Sequence, residues 1–95
     1  MRLKPEIKIF IKETASKLFP NSDLYLFGSR IDNDGHGGDI DILLLSEHKI
    51  ENKVLRRFRI DFYKKFGWQK IDLVNLTKKD NSTFKKLILP NAHAL

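Results

Sequence analysis

The chain has 95 residues, a length that predicts one domain over residues 1–95. Its composition, 41% hydrophobic and 32% charged, is ordinary for a globular protein and suggests neither disorder nor a membrane span. It contains no cysteine, which excludes a disulfide framework and thiolate metal sites and favours a cytoplasmic location. Its 18 basic and 12 acidic residues give a net charge of +6, which favours an acidic partner. The lysines are not part of any motif that recognises a DNA or RNA groove, so direct nucleic-acid binding is the least favoured interpretation.

The first half of the chain predicts a helix followed by two strands. Apolar residues recur at three- and four-residue steps over residues 5–19, which is typical of an amphipathic helix, and Pro5 suits its first turn. Residues 24–27 form a short apolar and aromatic run that predicts a buried strand. A glycine-rich loop over residues 31–38 leads into a second strand at residues 39–45, where aspartate alternates with isoleucine.

The second half predicts a helix, a strand and a last helix. Apolar residues spaced by four over residues 50–66 include an aromatic stripe, which we interpret as core packing. Residues 70–76 predict a third strand, and Thr77 or Asp80 is expected to cap a helix that runs to residue 89. This order indicates the α/β (α+β) class, a small sheet with helices packed against it. The strand order cannot be inferred from the pattern.

Three aspartates stand within predicted strands, where an unpaired buried carboxylate is costly. Asp39 and Asp41 lie two residues apart and therefore point to one face, and Asp72 occurs near the start of another strand. If the strands are neighbours, the three carboxylates could converge, and a hard cation such as Mg²⁺ would neutralise them. Two such ions about 3.5–4 Å apart stabilise the attacking and leaving oxygens in phosphoryl and nucleotidyl transfer.

A phosphate-binding turn is predicted just before these carboxylates. Gly28 follows a strand, where the absence of a Cβ lets backbone N–H groups approach phosphate oxygens, and Ser29 and Arg30 add side-chain donors. Each feature alone has a structural explanation: the turn could simply end a strand, Arg30 could hold a loop, and Asp72 could pair with Lys70. A phosphate-binding turn and an Asp-x-Asp strand are the two features that binding of a magnesium–nucleoside triphosphate complex requires at least.

The stretch from Phe27 through Gly28-Ser29-Arg30 to Asp39-Ile40-Asp41 resembles the Gly-Ser and Asp-x-Asp motif of the polymerase-beta-like nucleotidyltransferase superfamily. The small size is similar to that of its minimal nucleotidyltransferases (MNT), and Asp72 matches the position of their third carboxylate. The resemblance implies a small mixed sheet, two Mg²⁺ ions held by Asp39, Asp41 and Asp72, and ATP held at Gly28 and Ser29. Two departures concern the intervening loop, which is shorter by about one residue and has Gly38 where serine is common.

The resemblance also implies a biological role. Minimal nucleotidyltransferases are typically antitoxins of HEPN/MNT toxin–antitoxin pairs, which implies transfer of AMP from ATP to a tyrosine hydroxyl of a HEPN-type toxin. Two alternatives remain open: a non-catalytic antitoxin that occludes its partner, and a small-molecule nucleotidyltransferase, such as one that modifies an antibiotic.

Overall fold

The computed structural model describes residues 3–28, 39–67 and 69–95, and within them the elements follow the order α-β-β-α-β-α-β. They are α1 (Pro5–Leu18), β1 (Asp23–Phe27), β2 (Ile40–Ser46), α2 (Asn52–Lys65), β3 (Ile71–Thr77), α3 (Thr83–Ile88), a 3₁₀ turn (Leu89–Asn91) and β4 (His93–Ala94). None of the helices in these ranges is long and apolar enough to cross a bilayer.

The four strands form one mixed sheet in the order β3-β2-β1-β4. The central strand β1 runs antiparallel to both β2 and β4, whereas β2 and β3 are parallel. A parallel pair needs a crossover connection, and α2 supplies it between β2 and β3. The sheet is therefore mixed, as the resemblance implied, and the starts of β2 and β3 lie side by side.

Helices α1 and α2 cover one face of this sheet. Their apolar side chains meet those of alternate strand residues in one buried cluster: Ile7, Ile11, Ala15, Phe19, Leu26, Ile40, Ile42, Leu44, Leu55, Phe58, Phe62, Phe66 and Ile71. Phe58 and Phe62 are fully buried, and burial of each such side chain contributes about 1.5–3 kcal/mol. The aromatic stripe predicted for α2 therefore belongs to the core.

The boundaries agree with the sequence predictions to within two residues, except at the C-terminal end. Neither Thr77 nor Asp80 caps α3: Ser82 does, because its Oγ accepts a hydrogen bond from the Lys85 backbone N–H at 3.2 Å. Asp80 stabilises the turn before the helix, because its Oδ1 accepts a hydrogen bond from the Ser82 backbone N–H at 2.7 Å. The short strand β4 was not predicted, since two residues carry no periodic signal.

Candidate active site

Asp41 and Asp72 lie on one face of the sheet, opposite α1 and α2, and Asp39, just before β2, is near enough to raise the pKa of Asp41. Asp41 and Asp72 are register partners on the neighbouring parallel strands β2 and β3, so their side chains leave the sheet on the same side. Asp39 precedes Asp41 by two residues and follows the same alternation. The face they share is the one that Leu43 also occupies, while Ile40 and Ile42 point into the helix-covered core.

Asp41 is the central carboxylate of this group, and its pKa depends on burial and on the neighbouring charges. It is only partly exposed, and burial raises the pKa of Asp41, with further increases from the negative charges of Asp72 and Asp39. Desolvation and like charges both disfavour an ionised carboxylate. Within the part of the chain that the structure describes, no positive charge lowers the pKa of Asp41, so a cation bound here would stabilise its ionised form.

The alternative explanation of these residues by ion pairing finds no support in the described ranges. There, no ion pair joins Asp72 to Lys70 or Asp41 to any base; the ion pairs found are Lys53–Glu51, Arg57–Asp61 and Lys78–Asp23. Each of the three pairs has at least one side chain that is more than half exposed, and such surface pairs contribute little to stability.

The carboxylates are neighbours, but they do not yet converge. Among residues 3–28, 39–67 and 69–95, no group of three or more histidine or acidic side chains is arranged to hold one metal ion. The donor set nevertheless fits a hard divalent cation, because every candidate ligand is a carboxylate oxygen.

Gly28 ends β1 directly beside Asp41. Its φ of +85° favours glycine, and a Cβ placed there would lie 3.1 Å from the Asp41 Cγ and closer still to its Oδ2. Phe27, the preceding residue, is the strand partner of Asp41. Glycine is therefore required here by both backbone conformation and space. Ser29 and Arg30, the other two predicted phosphate-binding residues, lie outside the described residues.

A groove of about 630 Å³ opens next to this turn. It lies between the end of β1 and the C-terminal segment, and its lining residues are Phe27, Gly28, Leu87, Ile88, Pro90, Asn91, Ala92 and His93. Gly28 is next to Asp41 and also lines the groove, so the groove begins beside the Asp41 carboxylate. The sequence analysis missed it, since its two walls are far apart in the chain and carry no motif.

Fold and site together define a nucleotidyltransferase-type domain, in which an Asp-x-Asp strand lies beside a glycine turn on a mixed sheet. The family model described as "Polymerase beta, Nucleotidyltransferase" matches residues 10–95. The chain therefore belongs to the polymerase beta nucleotidyltransferase family. No curated protein matches the sequence.

Several solved structures share this fold. A toxin–antitoxin structure with AMP-PNP has a TM-score of 0.74 at 20% identity, over 92% of this chain and 70% of that one. The MNT antitoxin complex with a tri-AMPylated HEPN toxin from Shewanella oneidensis has a TM-score of 0.65 at 17% identity, over 93% and 70%. A protein assigned as a nucleotidyltransferase has a TM-score of 0.64 at 28% identity, over 97% and 99%.

Proposed function

We propose that this domain catalyses magnesium-dependent transfer of AMP from ATP to a hydroxyl group. The acceptor is a tyrosine hydroxyl of a HEPN-type toxin, and the domain thereby acts as an antitoxin in the cytoplasm. The observation that supports this proposal best is the register of β2 and β3, which sets Asp72 beside Asp41. Family membership provides the reaction class.

The chain's own side chains have distinct roles in this proposal. Asp39, Asp41 and Asp72 would hold two Mg²⁺ ions, which supply charge stabilisation for the phosphoryl oxygens when bound. Asp72, the most exposed of the three, would accept the proton of the incoming hydroxyl. The turn at Gly28 and Ser29 would hold the triphosphate through backbone N–H groups.

The reaction balances without any further reactant. The hydroxyl oxygen forms a bond to the α-phosphorus, the bond from that phosphorus to the bridging oxygen breaks, and pyrophosphate leaves with its electron pair. The proton passes from the hydroxyl to Asp72 and then to solvent. The product is an AMP-modified acceptor.

The partner assignment draws on the solved structures of similar fold. One of them is an antitoxin bound to a tri-AMPylated HEPN toxin, and another contains AMP-PNP. The domain is small and its carboxylate face opens at the strand ends, so an acceptor protein would supply the remaining wall of the site. A folded toxin that presents a tyrosine near its surface meets this requirement.

The test is transfer of label from ATP labelled at the α-phosphate to a HEPN-type partner in the presence of Mg²⁺. We expect label on the partner with the wild-type chain and none with Asp41→Asn. Asp23→Asn is the matched control, because Asp23 is an exposed strand carboxylate paired with Lys78 at 3.8 Å. Replacing the acceptor tyrosine by phenylalanine should also abolish labelling.

Two results would contradict the proposal. Label that persists with Asp41→Asn would show that the carboxylate face is not the catalytic centre. If the double variant Asp39→Ala/Asp41→Ala suppresses toxicity as well as the wild type does, neutralisation occurs by occlusion rather than by transfer.

A further inference from the structure

We propose that the groove between β1 and the C-terminal segment binds the purine base of the nucleotide, and that Asn91 selects adenine. This inference deepens the proposed function and rests on it, because it assigns the base subsite of the same nucleotide. Neither the family match nor the motifs specify which residues contact the base.

The position of the groove is the first argument. Phe27 and Gly28 form one of its walls, while Phe27 pairs with Asp41 across the sheet and Gly28 contacts it. A nucleotide whose phosphates lie at the carboxylates would therefore have its nucleoside within reach of the groove. Ligand pockets in proteins usually enclose about 300–1,000 Å³, and the groove's 630 Å³ falls within that range.

The groove walls have the chemistry that a flat aromatic ring requires. Phe27, Leu87, Ile88 and Pro90 contribute apolar surface on two sides. Leu87 remains 68% exposed, which for a leucine at a groove wall indicates surface that a ligand could cover. A base inserted here would remove this apolar surface from water, which favours binding.

Asn91 adds a specific polar contact within this apolar surface. Its side chain is exposed and forms no hydrogen bond with any residue in the described ranges. An asparagine amide pairs with adenine through N6 and N7, donating one hydrogen bond and accepting the other, whereas guanine presents two acceptors at that edge. A small number of polar groups within a mostly apolar cleft is typical of a site that binds one ligand specifically.

The experiment measures equilibrium binding of ATP, GTP and inorganic tripolyphosphate to the full chain in the presence of Mg²⁺. We expect ATP to bind more tightly than tripolyphosphate and more tightly than GTP. Asn91→Asp should weaken ATP binding about tenfold or more, because a carboxylate has no donor for adenine N7. It should also move the ATP-to-GTP ratio towards GTP, because a carboxylate can accept from both N1–H and N2–H on guanine's other, Watson–Crick edge. Tripolyphosphate affinity should not change.

Asn81→Asp is the matched control, since Asn81 is an exposed asparagine outside the groove, just before α3. It introduces the same charge and should leave the ATP-to-GTP ratio unchanged. Leu87→Ala provides a second, neutral variant that removes groove surface: ATP binding should weaken while tripolyphosphate binding stays constant. Unchanged tripolyphosphate binding also shows that each variant is folded.

The possible outcomes separate this inference from the proposed function. If neither ATP nor tripolyphosphate binds to the wild type, the proposed function itself fails. If both bind equally and Asn91→Asp and Leu87→Ala change nothing, the base does not occupy the groove, although the transferase proposal stands. If the variants leave ATP binding intact but raise the KM for the acceptor protein, the groove binds the acceptor and our assignment is overturned.

Discussion

Gly28 is the residue at which backbone conformation and site geometry depend on each other. We predict that Gly28→Ala destabilises the fold and weakens binding of Mg²⁺ and nucleotide together. A residue with a Cβ loses about 1–2 kcal/mol in the left-handed region, and here the added carbon would also press on the Asp41 carboxylate, 3.1 Å from its Cγ. Denaturant unfolding and titration with MgATP measure the two effects.

Gly67→Ala is the control for this prediction. A Cβ at Gly67 would meet only the Tyr63 carbonyl oxygen, at 3.1 Å, on the helix-bearing side of the molecule. We expect a modest loss of stability and unchanged nucleotide affinity. If Gly28→Ala behaves in the same way as Gly67→Ala, Gly28 has no role beyond ending β1.

Asp41 makes stability depend on pH in a direction that can be stated in advance. Burial, then Asp72 and Asp39, raise its pKa above the ordinary value of 3.8, so the folded chain binds this proton more tightly than the unfolded chain does. Without divalent cations, the free energy of unfolding should therefore fall as pH rises from about 3.8 through the folded pKa, and stay lower above it. Asp41→Asn should remove this decrease.

Urea unfolding in EDTA between pH 3 and pH 7 measures this effect, with Asp23→Asn as the control. At neutral pH we expect Asp41→Asn to be more stable than the wild type, and the control to lack this gain. A variant less stable than the wild type at pH 7 would show that the Asp41 carboxylate makes a favourable contact in the folded chain.

The carboxylate positions could be predicted from the sequence, because aspartate in an apolar strand is costly without a functional reason. That reasoning identified Asp39, Asp41 and Asp72 as candidates, and the structure places Asp41 and Asp72 on one face with Asp39 near Asp41. Their roles as ligands stay predictions, as do those of Ser29 and Arg30. The sequence could not reveal Asn91, since an asparagine directly after a proline is equally compatible with a simple turn.

At the scale of secondary-structure elements, Asn75 joins β2, β3 and the loop between β2 and α2. Its side chain is 7% exposed and its Oδ1 accepts a hydrogen bond from the Ile50 N–H at 2.7 Å. Its Nδ2 donates to the Leu44 carbonyl at 3.1 Å and to the Ser46 Oγ at 3.0 Å. The amide therefore fixes the far end of the parallel pair that aligns Asp41 with Asp72.

We predict that Asn75→Leu destabilises the fold by about 2 kcal/mol or more, because it leaves the partly buried Ile50 N–H without its acceptor and removes the hydrogen bonds to the Leu44 carbonyl and the Ser46 Oγ. An unpartnered donor costs roughly 1–3 kcal/mol, and each further lost hydrogen bond roughly 0.5–1.5 kcal/mol. Denaturant unfolding measures the loss. Asn52→Leu, at an exposed position in the first turn of α2, should change stability far less. Equal effects of the two substitutions would show that the Asn75 contacts contribute nothing.

The elements themselves follow from periodicity, and their pairing does not. The four-residue spacing identifies α1 and α2, and the alternation at residues 39–45 identifies β2. Whether β2 pairs parallel or antiparallel with each neighbour depends on the crossover through α2, which periodicity does not encode. Asn75 was likewise hidden, because its burial results from contacts with Ile50 and Leu44, far away in sequence.

In the molecule as a whole, the sheet lies between the hydrophobic core and the candidate active site. The helices and the main core lie on one face, and the acidic residues occupy the other, at the strand ends. A nucleotide bound as we propose would connect β1, β2 and β3 on the acidic face, away from the main core. The stability of the whole chain should therefore respond to the ligands of that face.

We predict that MgATP at about 100 times its Kd raises the free energy of unfolding by about 2.7 kcal/mol. For a chain of this size this corresponds to a rise in Tm of roughly 10 °C or more, which thermal unfolding followed by circular dichroism measures. EDTA should abolish the rise, because the carboxylates would then repel the triphosphate instead of sharing cations with it. Asp41→Asn should show little rise, and Asp23→Asn should match the wild type. A rise of the same size in EDTA would place the nucleotide away from the carboxylates, on a surface of the protein that uses no divalent ion.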